Sequence, residues 1–274
     1  MSTSLSLEGK RGIVLGIANR HSIAYGIAEV LSEQGAELCI TYLNEKSKPF
    51  VAPLAEKLTT KLFLPCDVSK PDELEAVFAE AKNQWGAIDF VIHSIAWSPL
   101  DELHGRLVDS SSAGFSLAMD ISCHSFIRTA RLAEAQMKDN GGTLITMTYY
   151  GSEKVVNHYG IMGPIKAALE SSVRYMASEL GASGIRVHAV SPGPMPTRAG
   201  SGITDFDGLM DDAVTRSPLH RLGKPEDVGR LTAFLISDWA ASQTGSQMFV
   251  DAGHHISMIQ PNIEQNLVYI ATTL

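Results

Sequence analysis

The chain has 274 residues, a net charge of −8, 45% hydrophobic and 19% charged residues. An acidic balance argues against a general nucleic-acid surface. No apolar run reaches the ~18 residues of a membrane span, and Met1 to Ser6 lacks the basic start and apolar core of a secretion signal. Cys39, Cys66 and Cys123 are far apart and without metal-ligand spacing; they read as reduced, packed thiols. The expectation is a cytoplasmic protein with no metal, no nucleic-acid partner and no membrane segment.

Taken in order, Gly12 to Leu15 reads as a first buried strand. The stretch from Gly16 to Gly26 follows, with a helical pattern from Ile23 to Ser32. Strand, glycine turn and helix make a phosphate cradle: glycine admits the pyrophosphate and the helix N-terminus supplies N–H groups. Ser22 either caps that helix or gives its hydroxyl to phosphate. The simple G-x-G-x-x-G pattern is absent, and Gly16 and Gly26 also suit plain turn and packing roles. Leu38 to Tyr42 is a second strand, and at its end a dinucleotide site reads the adenosine ribose. The chain there is Leu43-Asn44-Glu45-Lys46, with no arginine for a 2′-phosphate, so NADH is expected in preference to NADPH.

Lys61 to Pro65 is a third strand, ending in Cys66-Asp67-Val68, and a helix opens with a Ser69 cap, Pro71 and the early acids Asp72 and Glu73. Asp67 either faces the ligand crevice or caps the next turn. Ile88 to His93 is a fourth strand, followed by Ser94-Ile95-Ala96-Trp97-Ser98-Pro99, where Trp97 is a pocket wall or a loop anchor. Residues 113–138 read as one long helix carrying Asp120, Ser122 and His124. Thr143 to Thr148 is a fifth strand and Ile185 to Val190 a sixth. The proline-rich Ser191 to Thr197 reads as irregular, and 198–218 as part of a mobile lid. Pro225 to Ile236 is a last helix and Gln247 to Val250 a seventh strand. Strands alternating with helices predict a single-domain, Rossmann-like, doubly wound sheet of about seven mostly parallel strands over 1–274, helices on both faces. The lid spans about 195–218, and the tail 260–274 has no strong period.

The stretch between the fifth and sixth strands carries the chemistry. Tyr159 and Lys166 lie seven residues apart, within a segment, roughly 158–180, that reads as a helix. At ~100° per residue they share one face, ~10 Å apart along the axis. An ammonium there lowers a phenol's pKa and makes it a better acid. Taken alone, the pair also suits a surface tyrosine and a solvated lysine.

Together these pieces resemble the short-chain dehydrogenase/reductase superfamily, and within it the NADH-dependent enoyl-acyl-carrier-protein reductases of bacterial fatty acid synthesis. The resemblance rests on Tyr149 with Tyr159-x6-Lys166 in place of Tyr-x-x-x-Lys, and on Gly16-x5-Ser22-x-Ala24-x-Gly26. Asp67-Val68, His93-Ser94-Ile95, Pro192-Gly193-Pro194 and Ser201-Gly202-Ile203 add to it. It runs from about Leu5 to Ile256. It implies that Gly16, Ser22 and Ile23 bind the pyrophosphate, that Asp67 and Val68 flank the adenine, and that Ile95 and Ala96 lie near the nicotinamide and its ribose. Lys166 would bond that ribose, and Met195, Pro196, Thr197, Arg198 and Ala199 would cover the cofactor. Tyr159 would meet the thioester carbonyl, Tyr149 and Met162 would line the acyl pocket, and Ser98 would stand at its mouth. Leu43 replaces a glutamine usual beside the adenine, Trp97 a usual phenylalanine, Arg198 an apolar lid residue, and Ala252 a glycine of Asp-Gly-Gly. The implied substrate is an enoyl thioester on acyl carrier protein, and the implied assembly a homotetramer; the departures look like those of a divergent or second-copy member. Two other readings stand beside this one. A carbonyl or alcohol dehydrogenase fits less well because its phenol sits one turn from the lysine. A cofactor-binding scaffold would need none of Tyr149, Tyr159 and Lys166.

Overall fold

The computed structural model describes residues 5–197 and 203–257. Seven strands are hydrogen-bonded in the order β3-β2-β1-β4-β5-β6-β7, and every pairing among them is parallel. They are β1 Arg11–Leu15, β2 Glu37–Tyr42, β3 Thr60–Pro65, β4 Phe90–His93, β5 Gly142–Met147, β6 Ile185–Pro192 and β7 Gln247–Val250. Side chains alternate between faces: Ile13 and Leu15 of β1 enter one core, and Val14 enters the other. Both faces are covered, so the strands are apolar on both sides.

The first core is roofed by α3 Pro71–Trp85, α6 Ser125–Met137 and α7 Met162–Leu180, the second by α1 Ile23–Glu33, α2 Lys48–Ala55 and α9 Pro225–Ile236. The two outer helices α1 and α9 come very close. A methyl on Gly26 would stand 2.3 Å from Pro225 Cβ, and one on Gly229 would stand 2.8 Å from the Gly26 carbonyl oxygen. This is a doubly wound Rossmann-like sheet. Its strand order reverses between β1 and β4, which opens a crevice at their carboxyl ends.

The structure departs from the sequence reading at five places. The long helix at 113–138 is three pieces: α5 Ser112–Met119, a π turn Asp120–His124, and α6. Ser69 does not cap α3; Lys70 holds the cap position, and the Ser69 hydroxyl donates instead to Asp67 Oδ1 at 2.7 Å. β6 carries on through Ser191 and Pro192, because Pro192 heads the pairing with Val250 at the last rung. α2 arises where no helix is expected. It starts at Lys48 with Pro49 in its first turn and tolerates an internal Pro53 within its eight residues. α8, Phe206–Arg216, fills much of the segment read as a lid.

Candidate active site

The crevice begins at Gly16, whose φ of 108° suits glycine. A methyl there would meet the Ser94 carbonyl oxygen at 2.1 Å, so only a bare backbone lets the ends of β1 and β4 close up. Ser22 occupies the cap position of α1 without a side-chain cap bond. Its hydroxyl instead accepts from the backbone N–H of Ala18 at 3.0 Å and of Asn19 at 3.1 Å. That cinches the 18–22 loop and leaves the hydroxyl proton for an incoming acceptor. Ile23 opens the helix. Leu43 follows β2 and is 51% exposed, an apolar wall with no charge of its own. Asp67 does cap the next turn, accepting from Ser69 N at 3.0 Å. The buried Val68 passes its carbonyl to Arg128 Nη2 at 2.8 Å.

Beyond β4, Ile95 is half-buried against the cluster that holds Tyr159, and Ala96 is exposed. Trp97 anchors its loop through the π turn: its N–H donates to Ser122 Oγ, and Ser122 Oγ–H donates back to its carbonyl, both at 2.7 Å. The π turn is what brings Ser122 to that loop; such turns recur at functional sites. Ser98 is buried, and its hydroxyl donates to the Pro99 carbonyl at 3.0 Å.

Tyr159 is not on the helix. α7 starts at Met162, and Tyr159 lies in the turn before it, between His158 at φ 61° and Gly160 at φ 49°. Positive φ on both sides of Tyr159 is incompatible with a helix, so the shared-face geometry fails. The Tyr159 carbonyl accepts from Met162 N at 3.1 Å, and its ring packs with Met162, Val156 and half-buried Tyr149 in one cluster. The Tyr149 and Tyr159 rings meet edge-on, centroids 5.0 Å apart.

Lys166 sits on α7, 3% exposed. Its ammonium donates to the Met147 carbonyl at 2.8 Å, at the carboxyl end of β5. Burial brings its pKa down to about 8. The Tyr159 phenol moves the other way from expectation. Burial, then the Glu170 carboxylate, raise its pKa, so it stays a neutral donor. Burial likewise raises Tyr149. Glu170, one turn beyond Lys166, is itself buried and accepts from Thr148 Oγ1 at 2.5 Å and Ser152 Oγ at 2.6 Å. Under β4 and β5, His93 is fully buried, with Nδ1 3.1 Å from Thr146 Oγ1 and Nε2 2.8 Å from Ser125 Oγ. Burial, then the Lys166 charge, push its pKa down to about 3. It is a neutral strut beneath the lysine.

Met195 is buried in the second core, Pro196 is exposed and Thr197 half-buried, all just past β6. Arg198, Ala199, Ser201, Gly202 and the tail 260–274 lie outside the described residues. The strand ends therefore gather Gly16, Ser22, Ile95 and Lys166 near one crevice, with the two tyrosines on its rim. Residues 16–255 match the family model described as enoyl-(acyl carrier protein) reductase.

The chain belongs to the enoyl-acyl-carrier-protein reductase family. It is 46% identical to enoyl-[acyl-carrier-protein] reductase [NADH] 1 of Rhizobium meliloti, covering 91% of both chains. The solved Anaplasma phagocytophilum reductase in complex with NAD superposes with a TM-score of 0.90 at 45% identity, over 95% of this chain and 99% of that one. The Bacillus cereus reductase, solved with NADP+ and an indole naphthyridinone, gives 0.89 at 44% identity over 92% and 99%.

Within this reductase family frame, sequence reasoning passed over Tyr150, Glu170, Arg216 and His254. Glu170 had a signal, since it lies four residues after Lys166 on a helix. Tyr150 had one in the Tyr-Tyr doublet. Arg216 and His254 had none, because only the fold brings α8 and the turn His254–Ile256 to the Tyr150 side chain.

Proposed function

We propose that this chain reduces the trans-2 double bond of an enoyl thioester with NADH. One observation carries the reading: a buried, neutral Tyr159 phenol stands with Tyr149 and Lys166 at the carboxyl ends of β4 to β6, where open α/β sheets bind ligands. The crevice fits a dinucleotide. Gly16 turns the chain at φ 108° between β1 and the loop before α1, Ser22 keeps a proton to donate, and the first turn of α1 offers N–H groups. Gly16, Ser22 and Ile23 would hold the pyrophosphate, and Leu43, Asp67 and Val68 the adenosine end. Ile95, Ala96 and Lys166 would hold the nicotinamide riboside, with Met195, Pro196, Thr197, Arg198 and Ala199 over it.

Bound NADH supplies a hydride to the substrate's β-carbon. Negative charge then develops on the thioester oxygen, and the Tyr159 hydroxyl donates to it. Since that charge exists only on the way to product, the bond strengthens in the transition state and speeds the step. Lys166 orients the ribose. Tyr149 and Met162 wall the acyl chain, and Ser98 stands at the mouth. The reading covers one domain, with 195–218 as the pocket's lid, acyl carrier protein as the thioester's carrier, a cytoplasmic location and a homotetramer. The three buried free thiols suit a reducing compartment.

The test is oxidation of NADH and of NADPH with crotonyl-CoA and a longer trans-2-enoyl thioester, beside acetoacetyl-CoA. Turnover of the enoyl substrates alone, faster with NADH, is expected. Turnover of the ketone alone would overturn the reading in favour of a carbonyl reductase. Sedimentation velocity measures the assembly state.

A further inference from the structure

Tyr150 adjoins the pocket wall and has no part in the mechanism. It opens a short 3-10 turn, Tyr150–Ser152, directly after Tyr149. Its ring stands edge-on to Tyr149, centroids 4.8 Å apart, and edge-on to His254 on the other side at 5.1 Å. Its hydroxyl is 3.2 Å from His254 Nε2, and the Arg216 guanidinium at the end of α8 faces the same oxygen. Arg216 is itself tied to Asp212 within α8. Leu209, on the same helix, packs against the cluster holding Tyr159 and Met162. Three elements distant in sequence thus converge on one phenol oxygen.

With its proton on Nδ1, His254 accepts the Tyr150 O–H at Nε2. His254 is 3% exposed, so this bond lies inside the protein. The chain just past α8 is tied to the same segment, with Leu219 N donating to the Ala252 carbonyl at 3.3 Å.

We propose that Tyr150 is a positioning residue: its hydrogen bond to His254, whose segment is tied to the end of α8, is a clasp that fastens α8 against Tyr149 and sets how tightly the pocket grips the acyl chain. This deepens the active-site reading and rests on Tyr149 and Met162 as pocket wall. The groups that face His254 are Arg216 and Asp212 from α8, Asp251 and His255 from its own segment, and Tyr150. A proton on His254 makes Nε2 a donor, and the Tyr150 oxygen accepts from it, so the clasp bond turns round without breaking.

The test compares Tyr150→Phe, His254→Leu and His254→Gln in the full-length protein. Hydrogen exchange of the 206–216 amides reads the clasp without reference to catalysis, and steady-state rates read its use. Tyr150→Phe and His254→Leu are expected to speed α8 exchange at least fivefold. They should raise KM for the enoyl thioester five- to tenfold, with kcat within twofold and KM for NADH unchanged. Glutamine keeps an acceptor, so His254→Gln should stay within twofold of the parent. Unchanged α8 exchange in Tyr150→Phe, an unchanged KM, or equal losses in His254→Gln and His254→Leu would each overturn the proposal. Failure of the active-site reading would show instead in undiminished Tyr159→Phe rates, with the exchange results unaffected.

Discussion

The Tyr149 ring stands edge-on to Tyr159 at an interplanar angle of 64°, and Gly151 is what lets the two come together. A methyl on Gly151 would lie 2.7 Å from Tyr159 Cδ1 and 3.2 Å from Tyr149 Cδ1. Gly151→Ala should therefore push both rings off their positions. Turnover should fall at least tenfold, and stability by about 1–3 kcal/mol, the usual cost of overpacking. Rates and a thermal melt measure the two effects. Parent-like turnover would mean that the ring pair does not depend on this contact.

Tyr159→Phe removes only the hydroxyl that acts on the developing enolate. A loss of about 10²–10³ in kcat, the scale of one oxyanion donor, is expected with NADH affinity nearly unchanged. Because burial holds the phenol neutral, the parent's rate should show no loss of this donor in mild alkali. Equal rates in mutant and parent would remove Tyr159 from the mechanism.

Lys166 presents function against stability. Its pKa is about 8 in the fold against an ordinary 10.5. Between those values the unfolded chain holds a proton that the folded chain has released, so this group makes stability climb with pH across that window. Lys166→Met should melt at or above the parent's Tm near neutral pH, and the advantage should shrink toward the upper end of the window. NADH affinity should drop by about 1 kcal/mol or more for the lost charge-assisted bond. Calorimetry and melts at several pH values separate the two effects, and unchanged NADH affinity would contradict the ribose role.

His93 and His188 make the fold acid-sensitive. Burial holds them near pKa 3 and 4, against 6.5 when exposed. Below 6.5 the unfolded chain takes up protons that the folded chain refuses. Their contribution is complete above that pH and is lost as pH falls toward 4. Urea unfolding should show the decline, and a His93→Gln, His188→Asn double variant should flatten it. A slope identical to the parent's would assign the decline to carboxylates.

Leu43 offers no charge to a ribose phosphate. Leu43→Arg should lower KM for NADPH several-fold and leave KM for NADH within twofold, since an arginine there pairs with the 2′-phosphate. Unchanged NADPH kinetics would place the adenosine elsewhere.

The strands were legible because each is a short, mostly apolar run, with β1, β2, β4, β5 and β6 buried along nearly all their length, and their alternation with helical patterns leaves few topologies. The crevice residues were legible for the same reason, since strand ends are countable. Tyr159 was misplaced because the spacing to Lys166 fits two helical turns, while His158 and Gly160 reverse the backbone just ahead of the helix. A histidine at positive φ carries no sequence signal. The phenol's pKa was misjudged because a charge seven residues away is visible in the chain, whereas desolvation is not. The Tyr150 cluster was invisible because its three members come from segments brought together only by the fold.

The π turn at Asp120–His124 also fixes how the chain may change length. It places an extra residue in what would otherwise be one continuous helix, and the wide turn absorbs it, so α6 keeps its core-facing register. Ser125 and Thr129 then enter the core while Ser122 reaches the Trp97 loop. A single-residue deletion between 120 and 124 would leave a plain helix with Phe126 and Ala130 still facing the core, and would withdraw Ser122 from Trp97. A deletion within α6 has no wide turn to absorb it and would rotate every later side chain of that helix by ~100°.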